Sequence, residues 1–164
     1  MEIVMNRLFY LITFFIFSLL PSLAFTQDFI TDSSGCKIYN PQPKENETVE
    51  WSGECIDGFA NGSGKLEWFI NKELIEVYEG DMSNGWASGE GTLVSKDGYR
   101  YTGSWKKSTQ SGFGIAETSD GYKYEGNWQN GKQHGWGTLI QPSGESIYGE
   151  WVEGELVNTG GKSI

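Results

Sequence analysis

The stretch YEGNWQNGKQHGWGT, residues 124–138, mixes aromatic residues that favour strands with four glycines, which weaken strands. Its first six residues alternate between an aromatic or small residue and a polar one. This alternation predicts a strand with one aromatic face and one polar face. Asn130-Gly131 then predicts a tight hairpin turn, and a second strand runs on through Gly135 and Gly137. The stretch therefore predicts a β-hairpin with glycines inside its strands.

The same pattern recurs along the chain. Tyr78, Tyr101, Tyr124 and Ile147 begin units 23 residues apart, and Trp51 begins a first unit that is four residues longer. Twenty of the 23 glycines lie between residues 53 and 154, and all twenty fall at positions 3, 8, 12, 14 or 21 of a unit. Because the glycines keep phase, they predict a stacked array in which each unit mainly contacts its neighbours.

The strand glycines are predicted to make room for the rings. With a two-residue turn at 130–131, Tyr124 would face Gly137 across the hairpin, and Gly126 would face Gly135. Cross-strand partners share a face of the sheet, so the ring would lie over a residue without a side chain. A single-layer sheet could then bury aromatic area. The alternative, that the glycines serve only turns, fits positions 8 and 21 and leaves positions 3, 12 and 14 unexplained.

The N-terminal residues predict an export signal. An apolar run of thirteen residues, from Leu8 to Leu20, follows Arg7 and precedes Ser22-Leu23-Ala24, a small-x-small cleavage site. Cleavage after Ala24 would deliver the protein to the periplasm or outside the cell. An uncleaved membrane anchor is the alternative, although a spanning helix needs about 20 residues. Met5 is an alternative start for the same signal.

The only two cysteines, Cys36 and Cys55, predict a disulfide in such an oxidising compartment. Closing this loop would contribute about 3 kcal/mol on the chain-entropy argument. Two cysteines and the single histidine, His134, are too few ligands for a metal site, and His134 lies in a repeated turn rather than beside a catalytic thiol. Asn46 and Asn61 begin glycosylation sequons, which matter only in a eukaryotic source.

The composition limits the partners. A formal net charge of −10 disfavours binding to nucleic acid and to anionic membranes. It is compatible with basic partners and equally with simple solubility. No serine, histidine and aspartate set, phosphate loop or metal motif stands out from the repeat, so the sequence predicts no enzyme activity and no cofactor.

The repeat resembles the MORN repeat, the "membrane occupation and recognition nexus" motif. Residues 124–144 match its Y-x-G-x-W-x-x-G-x-x-x-G-x-G signature at every fixed point. The unit from Tyr78 departs at Met82, the unit from Tyr101 departs at Ser108, and the last unit stops early. The first unit has Trp51 and Cys55 at the two aromatic positions. The leading segment also resembles that of exported bacterial MORN proteins, which implies that the Cys36–Cys55 pair staples an N-terminal arm to the first repeat.

The resemblance implies an all-β fold, an elongated, twisted antiparallel meander of repeated β-hairpins with about ten strands, on the order of 50 Å long. The expected segments are a signal peptide (1–24), an arm containing Cys36 (25–50), a longer first repeat (51–77), three full repeats and a partial one (78–156), and a tail (157–164). Family members are mostly interaction modules and scaffolds, and some have been proposed to touch phospholipids.

A row of aromatic residues is the candidate binding face, consisting of Tyr78, Tyr101, Trp105, Tyr124, Trp128 and Trp151. Tyr and Trp favour interfaces because they bury large areas and keep a polar tip. The same row could instead be the core of a one-layer sheet. The expected function is an exported, non-enzymatic interaction or structural module with a protein partner. Binding of a carbohydrate or cell-envelope glycan through the row is the alternative, and phospholipid binding is the third.

Overall fold

The computed structural model describes residues 28–163, with side chains for residues 28–160. The predicted signal peptide, residues 1–24, lies outside the described residues. The strands are β1 (Phe29–Thr31), β2 (Lys37–Tyr39), β3 (Glu47–Trp51), β4 (Glu54–Ile56), β5 (Phe59–Ile70), β6 (Glu73–Ser83), β7 (Trp86–Ser95), β8 (Arg100–Lys106), β9 (Thr109–Glu117), β10 (Lys123–Gln129), β11 (Lys132–Ile140), β12 (Ser146–Val152) and β13 (Glu155–Ser163).

All thirteen strands belong to one open sheet, so the predicted all-β meander of hairpins is confirmed. Strands β5 to β13 follow one another in chain order, each antiparallel to the last. Strands β3 and β4 both pair with β5, and β2 runs parallel to β5. Between residues 28 and 163 there is no helix that could cross a membrane.

Two-residue turns with left-handed backbone close the hairpins of the repeats. Asn84-Gly85 has φ values of 51° and 82°, and Asn130-Gly131 has 52° and 77°. These turns suit the twist of the strands and require φ > 0 at both residues. Lys107-Ser108 adopts the same geometry without a glycine, at 50° and 57°. The Ser108 hydroxyl accepts a hydrogen bond from the Ala87 amide at 3.0 Å, which ties this turn to the preceding hairpin.

The predicted pairing register within the hairpin is wrong. Gly126 pairs with Gly137, and Tyr124 pairs with Leu139 instead of Gly137. Next to the turn the register is the expected one, since Gln129 pairs with Lys132. A bulge between these two regions places residues 134–136 of β11 opposite a single residue of β10. Gly135, with φ of 67°, supplies the left-handed residue in this bulge.

The rings nevertheless lie over glycines. A Cβ atom built on Gly137 would lie 2.5 Å from Cζ of Tyr124, and one built on Gly126 would lie 2.6 Å from its Oη. Gly64 leaves the same room beneath Trp51 in the first unit. Positions 3 and 14 of the first four units therefore form the trough, whereas the position 12 glycine, represented by Gly135, serves the bulge.

Both ends of the sheet extend beyond the repeat signature. Strands β1 and β2 form a hairpin, and the Tyr39 amide donates a hydrogen bond to the Gly85 carbonyl oxygen at 2.8 Å. The Tyr39 ring stacks on Trp86 with centroids 3.5 Å apart. At the other end, residues 157–163 of the expected tail belong to β13, which pairs with β12 along its length.

Candidate functional site

The six aromatic residues of the candidate binding face lie in one row on one face of the sheet, which we call the inner face. Tyrosine and tryptophan rings alternate along the row, with neighbouring centroids 5.1–5.3 Å apart and ring planes 82–90° to each other. This is the edge-to-face arrangement that aromatic quadrupoles favour. Trp105 and Trp128 each contact the tyrosine of their own unit and that of the unit before it, and Trp151 contacts the tyrosine of the unit before it. The order is Tyr78, Trp105, Tyr101, Trp128, Tyr124 and Trp151.

Every polar tip in the row has a backbone partner. The tyrosine hydroxyl donates to the carbonyl oxygen three residues later on its own strand, as Tyr101 does to Ser104 at 3.0 Å. The tryptophan Nε1 donates to a glycine carbonyl oxygen of the preceding unit, as Trp128 does to Gly114 at 3.1 Å. In the first unit Trp51 replaces tyrosine and donates in the same way to Glu54 at 2.9 Å. The row is therefore bonded within and between units.

The row is buried. Tyr101 is 0 % exposed, and Trp128 is 7 % exposed. Burial raises the pKa of the Tyr124 hydroxyl to about 12. Burial likewise raises the pKa values of Tyr78 and Tyr101, and for Tyr78 the negative charge of Asp81 adds to the effect. These rings therefore pack as the interior of a single-layer sheet.

An apolar cavity of about 210 Å³ lies at the N-terminal end of the row, between the arm and the inner face. Tyr78 and Trp105 lie in its wall, where the row ends. Glu76 also lines the cavity, and burial raises the pKa of its carboxyl group, while the nearby Lys44 charge lowers it. The other lining residues are mainly apolar: Ile38, Tyr39, Pro41, Leu66, Trp68, Met82, Ala87, Leu93 and Ser108.

The arm covers this cavity, and a disulfide and a set of hydrogen bonds fix it to the first repeat. Cys36 and Cys55 form a disulfide with Cα atoms 5.8 Å apart. Asp32, 7 % exposed, accepts hydrogen bonds from the amides of Ser34, Cys36 and Trp51. Burial raises the pKa of this carboxyl, but the hydrogen bonds from Ser34 and from these amides together outweigh burial, and the net pKa is lowered. An anionic Asp32 therefore holds the arm loop to the first unit.

Sequence reasoning missed three aromatic residues on the opposite face, which we call the outer face. Phe113, Trp136 and Tyr148 are 59 %, 43 % and 47 % exposed, and we call them the outer aromatic patch. Trp136 and Tyr148 stack with centroids 5.1 Å apart and planes 22° to each other. These positions lie outside the repeat signature. A comparison of units is the one signal that could have found them. Position 13 changes from Ser63 and Glu90 in the first two units to Phe113 and Trp136 in the next two.

Titratable groups do not gather into a metal centre in the part of the chain that the structure describes. No group of three or more His, Cys, Asp or Glu residues is placed to hold a metal ion between residues 28 and 163. The Nδ1 atom of His134 is buried without a hydrogen-bond partner within this range. It lies on β11 at the bulge, away from the cavity.

A family model described as "MORN repeat" matches four segments of the chain, residues 51–70, 78–98, 101–121 and 124–146. Together these segments make up just over half of the sequence. They begin at Trp51, Tyr78, Tyr101 and Tyr124, which are the first residues of the first four units. A search of curated proteins finds no match.

Proposed function

Because the chain belongs to the MORN-repeat family, we propose that it is an exported, non-enzymatic interaction module that binds a protein partner on its inner face. The cavity beneath the arm carries this proposal, because it is where edges of the aromatic row open to an apolar space. Apolar and aromatic walls with one carboxylate suit a partner side chain that is apolar along its length and has a polar tip. The remaining rings of the row pack edge to face beside Trp105 and hold it in place.

The proposal of export rests on the N-terminal pattern and on the disulfide. Cys36–Cys55 is the kind of bond that persists in oxidising compartments. The measurement is the mass and N-terminal sequence of the protein isolated from its own source. We expect the chain to start at Phe25. A chain that retains residues 8–20 would make the protein membrane-anchored instead.

The inner face suits a protein side chain better than a glycan. Sugars bind by stacking on an open ring face, whereas the rings of the row meet edge to face and are almost fully buried. Lipid binding is opposed by charge, since a net charge of −10 repels anionic vesicles. These arguments rank the protein partner above the two alternatives.

Capture of partners from an envelope extract tests the proposed surface. Leu93 and Val94 are neighbours on β7, with Leu93 in the cavity wall and Val94 exposed on the outer face. Leu93→Arg places a charged side chain in the cavity, and Val94→Arg is the matched control with the same change of charge. We expect Leu93→Arg to lose the captured protein and Val94→Arg to keep it, with both variants folded by circular dichroism. Equal capture by the two folded variants would contradict binding at this cavity.

A further inference from the structure

The outer aromatic patch is built rather than accidental, because it has its own glycine support. A Cβ atom on Gly160 of β13 would lie 2.8 Å from Cδ1 of Tyr148 and 3.1 Å from Cζ3 of Trp136. Both rings thus rest on backbone where no side chain intervenes, as the inner rings do. Unlike the inner rings, they remain nearly half exposed. An exposed, stacked aromatic pair of this kind is a typical anchor for a partner.

The strand register places carboxylates beside the patch. Glu150 lies directly across from Trp136, between β12 and β11. Glu125 lies across from Thr138, which in turn lies across from Tyr148. Among the described residues Glu150 is in no ion pair, and Glu125 pairs only with Lys123 of its own strand. The patch is therefore an apolar surface in a negative field.

The negative field continues along the outer face toward the N-terminal units. The two cross-strand rows that contain the patch carry Glu79, Asp81, Glu90, Glu125 and Glu150. The cation in these rows is Lys65, and it is already paired with Glu67 at 2.7 Å. From Glu90 on β7 to Glu150 on β12 is five strand spacings, or about 24 Å. An extended peptide of about seven residues covers that distance.

We propose that this face binds an extended basic segment of a partner protein, with an arginine stacked on the Trp136–Tyr148 pair. Arginine fits better than lysine because its planar guanidinium stacks on rings and bonds to a carboxylate with a fork of donors. A neutral glycan would gain nothing from the negative field, and an acidic one would be repelled. This inference does not depend on the inner-face cavity, since the two surfaces lie on opposite sides of the sheet.

Fluorescence anisotropy with a labelled nine-residue peptide tests the proposal on the full exported chain. The probe alternates arginine with serine. Two control peptides have the same sequence with citrulline or with lysine in place of arginine. We expect the arginine peptide to bind most tightly, the lysine peptide more weakly and the citrulline peptide least. Affinity should fall as salt rises, because the contacts are electrostatic. Equal binding of the arginine and citrulline peptides would overturn the proposal.

Variants assign the binding to the patch. Trp136→Ala should weaken binding of the arginine peptide about tenfold, as loss of a stacked cation does. Glu150→Gln should weaken binding and reduce its salt dependence. Tyr122→Ala removes another exposed aromatic residue, 41 % exposed, from the turn that precedes β10, and should leave the affinity unchanged. If Trp136→Ala fails to fold, Glu150→Lys at the rim provides the same test by charge reversal.

Two further outcomes decide the matter. Unchanged peptide binding in folded Trp136→Ala and Glu150→Lys variants would show non-specific attraction to an acidic protein and would overturn the proposal. Binding of a neutral β-glucan hexasaccharide, lost in Trp136→Ala, without peptide binding would make the patch a sugar site instead. The Leu93→Arg variant should bind the arginine peptide normally, so failure of the inner-face proposal is distinguishable from failure of this one.

Discussion

At the scale of single residues, identical amino acids in one strand have different tasks. Gly135 and Gly137 are both strand glycines in the sequence, yet only Gly137 lies under the Tyr124 ring. Gly135 has φ of 67°, and the nearest side-chain atom to a Cβ placed there is 3.7 Å away. One glycine is needed for space and the other for backbone conformation.

This difference predicts unequal costs of adding a methyl group. Gly137→Ala should be severe, because the Tyr124 ring has to leave its place on the sheet, and displaced core aromatics cost about 3–5 kcal/mol. Gly135→Ala should cost only about 1–2 kcal/mol, the strain of a left-handed non-glycine residue. Urea unfolding of the two variants measures the difference. Equal destabilisation would mean that the trough has no role in stability.

The outer aromatic patch could not be predicted from the repeat pattern of the sequence. The inner row was predictable because its residues recur every 23 positions and thereby stand out from chance. Trp136 and Tyr148 occur once each at positions that vary between units, so periodicity gives them no signal. Their stacking depends on the register between β11 and β12, in which Trp136 faces Glu150 and Thr138 faces Tyr148, and no local motif encodes that register.

At the scale of strands and hairpins, tryptophan links consecutive units. Trp128 contacts the rings of Tyr101 and Tyr124 and donates a hydrogen bond to the Gly114 carbonyl oxygen in the preceding unit. Since the units of a repeat array are held together by such neighbour contacts, the loss of one tryptophan should separate two hairpins.

We therefore expect Trp128→Ala to destabilise the protein by about 3–5 kcal/mol. Trp128→Phe is the matched control, because it keeps an aromatic ring and removes the Nε1 donor, and it should cost less, with about 1 kcal/mol of that from the lost hydrogen bond. Denaturant unfolding followed by circular dichroism gives both values. A small effect of Trp128→Ala would place the stability of the array elsewhere than in its aromatic row.

The arm allows a second test at this scale. The Cys36–Cys55 bond closes a loop between the arm and the first unit, with a sequence separation of 19. Reduction should lower the free energy of unfolding by about 3 kcal/mol. Hydrogen exchange should rise mainly in β1 to β4, because Cys36 lies directly before β2 and Cys55 lies in β4. Unchanged exchange in these strands after reduction would show that Asp32 alone is sufficient to hold the arm.

At the scale of the whole molecule, residues 28–163 form a one-layer sheet whose interior consists of rings packed on glycine backbone. The sequence predicted this architecture because strand alternation, Asn-Gly turns and in-phase glycines all favour one answer. It did not predict the strand pairing of the C-terminal residues or the parallel contact of the arm, since both depend on tertiary pairing outside the repeat. The aromatic row nonetheless runs through consecutive units, and three of them each contribute one buried tyrosine hydroxyl group, from Tyr78, Tyr101 and Tyr124.

These hydroxyl groups predict how the whole sheet responds to high pH. The pKa values of Tyr78, Tyr101 and Tyr124 are raised by burial, whereas an unfolded tyrosine ionises near pH 10. Above about pH 10 the unfolded chain loses protons that the native sheet retains, so stability is full below that pH and is lost as pH rises toward 12. Each tyrosine that is protonated in the native state and ionised in the unfolded state lowers the free energy of unfolding by about 1.4 kcal/mol per pH unit.

Absorbance at 295 nm reports tyrosine ionisation, and near-UV circular dichroism reports the packed rings. We expect the buried tyrosines to ionise together with the loss of near-UV signal, between about pH 10 and 12, because ionisation of any one inside the row requires the sheet to open. Tyr101→Phe removes one of the three groups and should reduce the slope of stability against pH by about a third. Ionisation of all the tyrosines near pH 10 with the near-UV signal intact would contradict a closed interior, since it would mean that water reaches every hydroxyl in the native row.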